Sequence, residues 1–129
     1  MFTAQMDIKV SGIGAATIQK SITATGGGVA LVSETIAGEE TDLEIAFDLD
    51  KSATTMFVMT ATGPLTIKTN SSSEPQETIT IAADGIIPWA EGEDGFTSPF
   101  ADDVTKLFVT NAELTDAVLS IQAVYDVTP

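Results

Sequence analysis

Residues 42–49 read Asp-Leu-Glu-Ile-Ala-Phe-Asp-Leu, with apolar side chains at every second position. Only an extended strand turns alternate side chains to the same side. Leu43, Ile45, Phe47 and Leu49 therefore share one face, and Asp42, Glu44 and Asp48 lie on the other. The same alternation, rich in Thr, Ile and Val, runs through 17–24, 65–69, 77–82, 104–110 and 118–127, and a short strand fits 7–10. Two further runs, 29–36 and 56–61, are apolar on both faces. Such strands are either central in a sheet or have an outer face that meets a partner. Phe47, Phe57, Leu107 and Ile121 are the expected core.

Turn chemistry separates these runs: three glycines at 26–28, Gly38-Glu39-Glu40, Asp50-Lys51-Ser52, Gly63-Pro64, residues 70–75, Asp84-Gly85, the acidic glycine loop at 92–95, and Asn111-Ala112. The spacing is that of an all-β sandwich or barrel, and no helical period persists for ten residues. Short helical turns fit only 52–55 and 100–103. The pattern predicts one all-β domain over residues 1–129, a jelly-roll-like β-sandwich of eight or nine strands. Its longest irregular stretch is 88–103, and long loops in compact domains usually carry function.

The side-chain alphabet removes many functions. Among 129 residues there are five lysines and no Arg, His or Cys, against 19 acids, for a formal charge of −14. Such a chain builds no disulfide, thiolate nucleophile, Cys/His zinc site, Ser-His-Asp triad or bidentate Arg clamp. Its charge opposes nucleic-acid binding. No apolar run reaches the roughly 20 residues of a membrane-spanning helix, and the first residues lack the basic and apolar regions of a signal peptide. Synthesis in the cytoplasm is the expectation, and Asn70-Ser71-Ser72 reads as a turn, not a glycan acceptor.

Three local motifs fall short of chemistry. Gly12-Ile13-Gly14 has Thr17 where a dinucleotide fingerprint needs its third glycine, and a strand follows instead of a helix. Asp48-Leu49-Asp50 opens like a calcium loop, but Ala53 and Met59 occupy the sixth and twelfth positions. The acids Glu91, Glu93 and Asp94, with Asp102 and Asp103, are the only weak metal candidates, as oxygen ligands for Ca²⁺ or Mg²⁺; a solvated acidic loop is the plainer reading. No catalytic or cofactor-binding residue is assigned, and no cofactor is expected. Trp89, beside Pro88, is either a core packer or an interface anchor, and Phe96 and Phe100 join it as interface candidates.

Few charges on a chain of mean hydropathy +0.23 leave much apolar surface, so coverage by other subunits, most simply a homo-oligomer, is expected. Residues 41–47 (Thr-Asp-Leu-Glu-Ile-Ala-Phe), 65–71 (Leu-Thr-Ile-Lys-Thr-Asn-Ser) and 103–111 (Asp-Val-Thr-Lys-Leu-Phe-Val-Thr-Asn) then resemble segments of small virion-associated proteins of tailed phages, closest to capsid decoration, or cement, proteins. The resemblance spans residues 40–127 and is carried by strand and turn patterns. It implies a β-sandwich on the exterior of an icosahedral head, bound to the major capsid protein as a trimer or, alternatively, a dimer. It further implies no enzymatic activity, no cofactor, and no nucleic-acid or membrane partner, and it transfers no functional residue. Two alternatives stand beside it: a carbohydrate-binding adhesion module using Trp89 and Tyr125, and a phage tail or baseplate subunit.

Overall fold

A computed structural model describes residues 2–10, 18–92 and 96–126. These form ten strands and, among the described residues, no helix: β1 (Phe2–Val10), β2 (Ile18–Gly26), β3 (Gly28–Ile36), β4 (Leu43–Leu49), β5 (Thr54–Ala61), β6 (Leu65–Thr69), β7 (Thr78–Ile81), β8 (Gly85–Ala90), β9 (Val104–Thr110) and β10 (Ala117–Tyr125). All pairings are antiparallel. Sheet I has the order β3-β10-β5-β8 and sheet II the order β4-β9-β6-β7, while β1 and β2 form a separate hairpin.

The two four-stranded sheets face each other across one core, as the alternation requires. From sheet I come Val32, Ile36, Phe57, Met59, Leu119, Ile121 and Ala123; sheet II contributes Ile45, Phe47, Leu49, Ile67, Ile79, Leu107 and Val109. The four expected core residues, Phe47, Phe57, Leu107 and Ile121, are all buried. Register explains why these residues meet: Ile121 lies opposite Val32 on one side and Met59 on the other, so three inward rows line up.

Asparagines fasten the ends of the sandwich. Asn70 closes β6 in the left-handed region, at φ 65°. Asn111, 1% exposed, follows β9 and donates its amide to the carbonyls of Ile36 (3.1 Å) and Thr115 (2.8 Å). Its own Oδ1 accepts the Glu113 N–H at 3.0 Å, so every polar atom of the buried carboxamide is engaged.

Several expectations change. β8 extends through residues 88–90, the start of the stretch that the sequence assigns to a loop. Strand β1 is nine residues long instead of four. The helical turns expected at 52–55 and 100–103 are a single turn closed by Thr54 N–H on the Asp50 carbonyl (3.0 Å) and a bend. Of the two-sided apolar runs, β5 is central in sheet I, but β3 is an edge strand, so burial between neighbours does not account for its apolar outer side.

The hairpin is continuous with sheet I. Gly26 ends β2 and Gly28 begins β3, with the Gly27 N–H donating to the Tyr125 carbonyl at 3.0 Å. The bend folds Ile22 of β2 onto Met56, Ala90 and Val124, forming a small second core at one end of the outer face of sheet I; Ala4, Met6, Ala24 and Phe96 pack around it. A lone two-stranded hairpin is marginal in water, so this docking is what holds it.

Candidate functional site

The two outer faces of the sandwich differ in kind. On sheet II, Glu44, Asp48, Lys68 and Lys106 project outward beside Thr66, Thr78 and Thr80. Lys68 pairs with Asp42 at 3.3 Å and Lys106 with Glu44 at 3.6 Å. These are partly solvated ion pairs, each worth at most about 1 kcal/mol, and they mark a face suited to water.

Sheet I turns a different set outward. The residues are Val29, Leu31, Ser33 and Thr35 of β3, Val118, Ser120, Gln122 and Val124 of β10, Met56, Val58 and Thr60 of β5, and Ile86, Pro88 and Ala90 of β8. None of them is charged. Among the described residues, the hairpin packs on the row Val124-Met56-Ala90. Beyond it Leu31 is 69% exposed, Ile86 63%, Val29 50% and Val118 37%. The relief is uneven. Ser120 and Thr60 are short, and together with Val58 and Gln122 they line a hollow of about 180 Å³ over the two central strands. Leu31 stands on one edge strand and Ile86 on the other. This face is thus uncharged and sets exposed apolar side chains among short hydroxyl residues and Gln122, a composition like that of contact surfaces.

The sequence-predicted candidates fall elsewhere. Trp89 lies opposite Phe57 in the β5–β8 pairing and stacks on it, ring centres 5.7 Å apart and planes inclined by 22°. It is half-buried against the main core, with the Lys51 ammonium 5.0 Å from its ring centre. Phe100 is 1% exposed, with its ring 5.3 Å from Phe57, so it serves the core of the single chain. Phe96 is partly buried in the hairpin's small core. Of the three aromatic interface candidates, Phe100 is sealed in the main core, while Trp89 and Phe96 are partly buried. Tyr125 is partly buried against the main core and donates its hydroxyl to the Asp48 carbonyl. Burial, with the charges of Asp48 and Asp50 adding to it, raises the phenol above its ordinary value.

The described acids sit at separate turns. Asp103 accepts the Lys51 N–H at 2.8 Å and Asp102 meets the Gln76 amide at 3.4 Å. Both line an open depression of about 550 Å³ with Lys51, Ser52 and Gln76. Glu91 is exposed at the turn after β8, and Glu93 and Asp94 lie outside the described residues, as do Gly12-Ile13-Gly14. Among the described residues no three acids come together as a ligand set. The opening of the calcium-like motif is an Asx turn: Asp50 Oδ1 accepts from the Ser52 N–H (3.0 Å) and hydroxyl (2.7 Å). That hydroxyl bond, above all, lowers the Asp50 carboxyl below its ordinary value.

The uncharged face lay beyond sequence reasoning because it depends on which strands share a sheet. Its one trace was the two-sided apolar character of 29–36 and 56–61. No protein-family model, curated protein or solved structure matches the chain.

Proposed function

We propose that the chain is a structural virion protein that decorates and cements an icosahedral phage capsid through protein–protein contacts. The observation that carries this reading is the segregation of the surface. One outer face bears ion pairs and carboxylates, and the four strands of the other turn no charged side chain outward. A small sandwich built this way has one side for a lattice and one for solvent. Cementing works by linkage: a protein that binds the assembled shell and not its separated or expanding parts stabilises the shell in proportion to the sites it fills. Many weak contacts suffice, because a lattice repeats them.

Strand order supports the jelly-roll form of the sandwich. Each sheet places a late strand beside an early one, β10 beside β3 and β9 beside β4, as rolling up a long antiparallel ribbon does. Jelly rolls recur in viral capsid proteins and also in lectins and cupins, so the fold adds only an analogy. In this reading the major capsid protein is the partner, and the chain acts as a homo-oligomer on the capsid exterior after synthesis in the host cytoplasm. No catalytic step, cofactor, nucleic acid or membrane is assigned to it.

Quantitative mass spectrometry of purified particles tests the proposal. Tens to hundreds of copies per particle are expected for a lattice-bound cement. Absence from the particle, or only a few copies, overturns the head-decoration reading, and the latter result points to the tail.

A further inference from the structure

We infer that the uncharged face of sheet I is where a second copy of this chain docks, with Leu31 of each copy entering the hollow of the other. The inference deepens the proposed function by giving the homo-oligomer a surface, and it rests on that reading only for its biological setting.

Three observations select a second copy as the occupant. The first is shape. The face carries both a projecting side chain, Leu31 at 69% exposure, and a hollow of about 180 Å³ between Val58, Thr60, Ser120 and Gln122. A dry cavity of roughly 150 Å³ holds a benzene molecule, so this hollow accommodates a branched aliphatic side chain. A surface with its own knob and its own hole is self-complementary, which is what an isologous two-fold contact needs.

Charge is the second. Two copies of −14 repel wherever acidic surfaces meet. This face allows them to approach without stacking carboxylates, and it offers no ion pair to a basic partner. The polar groups on the hollow, the Ser120 and Thr60 hydroxyls and the Gln122 amide, each donate and accept, so they bond equally well to their own copies.

The third is area. Four strands about 4.8 Å apart, with about seven residues rising roughly 3.4 Å each, make a face of roughly 450 Å². Two copies bury about 900 Å², near the threshold of about 1,000 Å² for a specific contact. The association is therefore of the weak, reversible kind, and its two-fold symmetry makes a dimer the elementary unit, where the phage resemblance favours trimers.

Sedimentation of the full chain over about 1–500 μM tests this. The wild-type chain is expected to shift from monomer to dimer, and Leu31→Glu to raise the dissociation constant at least about tenfold by placing a carboxylate in the hollow. Ala46→Glu, on the exposed outer side of sheet II, is expected to dimerise like wild type. Leu31 is exposed, so folding is not at stake, and circular dichroism of each variant checks that. Because the chain has no Cys, Gln122→Cys gives a second readout: disulfide-linked dimers form on mild oxidation if the face is shared, and Ala46→Cys forms none. A wild-type chain that stays monomeric throughout, or a Leu31→Glu chain that dimerises as well as wild type, overturns the inference. A monomeric chain that still binds shells abundantly overturns this inference and leaves the cement function standing.

Discussion

Asn70 and Thr105, 35 residues apart, are joined by two hydrogen bonds to one oxygen: Asn70 Oδ1 accepts the Thr105 N–H at 2.8 Å and its hydroxyl at 3.2 Å. The amide of the same side chain donates to the Asp103 carbonyl at 2.9 Å and to Gln76, while the Asn70 N–H reaches the Lys106 carbonyl at 3.0 Å. One residue thus ties the end of β6 to the start of β9, and its left-handed backbone turns the chain there. Asn70→Ala loses the bonds and places a Cβ-bearing, non-bonding residue at φ 65°; a loss of about 2–3 kcal/mol is expected by urea denaturation. Asn70→Gly keeps the backbone freedom and is expected to recover about 1 kcal/mol of that loss.

Trp89 packs against the core of its own chain. Its stacking on Phe57 makes Trp89→Ala a loss of about 2–4 kcal/mol of monomer stability, somewhat below a fully buried aromatic because the ring is half-exposed. The sedimentation midpoint of the folded variant is expected to stay at the wild-type value, since the ring lies on the inner side of β8. Weakened self-association with unchanged unfolding would place Trp89 at the interface instead.

At the joint between hairpin and sandwich, a Cβ on Gly26 would lie 2.8 Å from Val124 Cγ1 and closer still to the Tyr125 carbonyl. Backbone cannot yield there as a long side chain can. Gly26→Ala is therefore expected to cost about 1–3 kcal/mol and to lift the hairpin from Met56 and Ala90. Hydrogen exchange reads this directly, as faster exchange across β1 and β2 with β5 and β10 still protected.

Asp50 supplies a pH signature. Its carboxyl is lowered chiefly by the Ser52 hydroxyl, so the ionised form is favoured in the folded chain. Its contribution is present above the ordinary carboxylate range and is lost as pH falls through the lowered value. Asp50→Ala is accordingly expected to be less stable than wild type at pH 7, with the gap narrowing as the pH is lowered toward 3. A gap that widens on acidification contradicts the assignment.

Alternation made most strands legible, since 42–49 and 118–127 each carry one clean face. Strand β8 was not, because Pro88 lacks the N–H that a ladder uses and reads as a loop signal. The structure tolerates it because β8 is an edge strand. Asn70 and Asn111 were readable as turn residues, but their bonds run to strands 35 and 75 residues away and exist only once both sheets are assembled. The uncharged face of sheet I was hidden for the same reason. Val29 and Leu31, Val58, and Ile86 come from three separate stretches of the chain, the last outside every apolar run, and only the order β3-β10-β5-β8 puts them side by side. Single aromatics drew attention as anchors, yet Phe100 and Trp89 were claimed by Phe57.

The most direct test of the cementing role is the rupture temperature of purified shells stripped of this chain and then titrated with it. The chain is expected to co-sediment with the shells, and the rupture temperature to climb with occupancy until the lattice sites are filled. Shells that rupture at an unchanged temperature, with the added chain left in the supernatant, would contradict the cementing role.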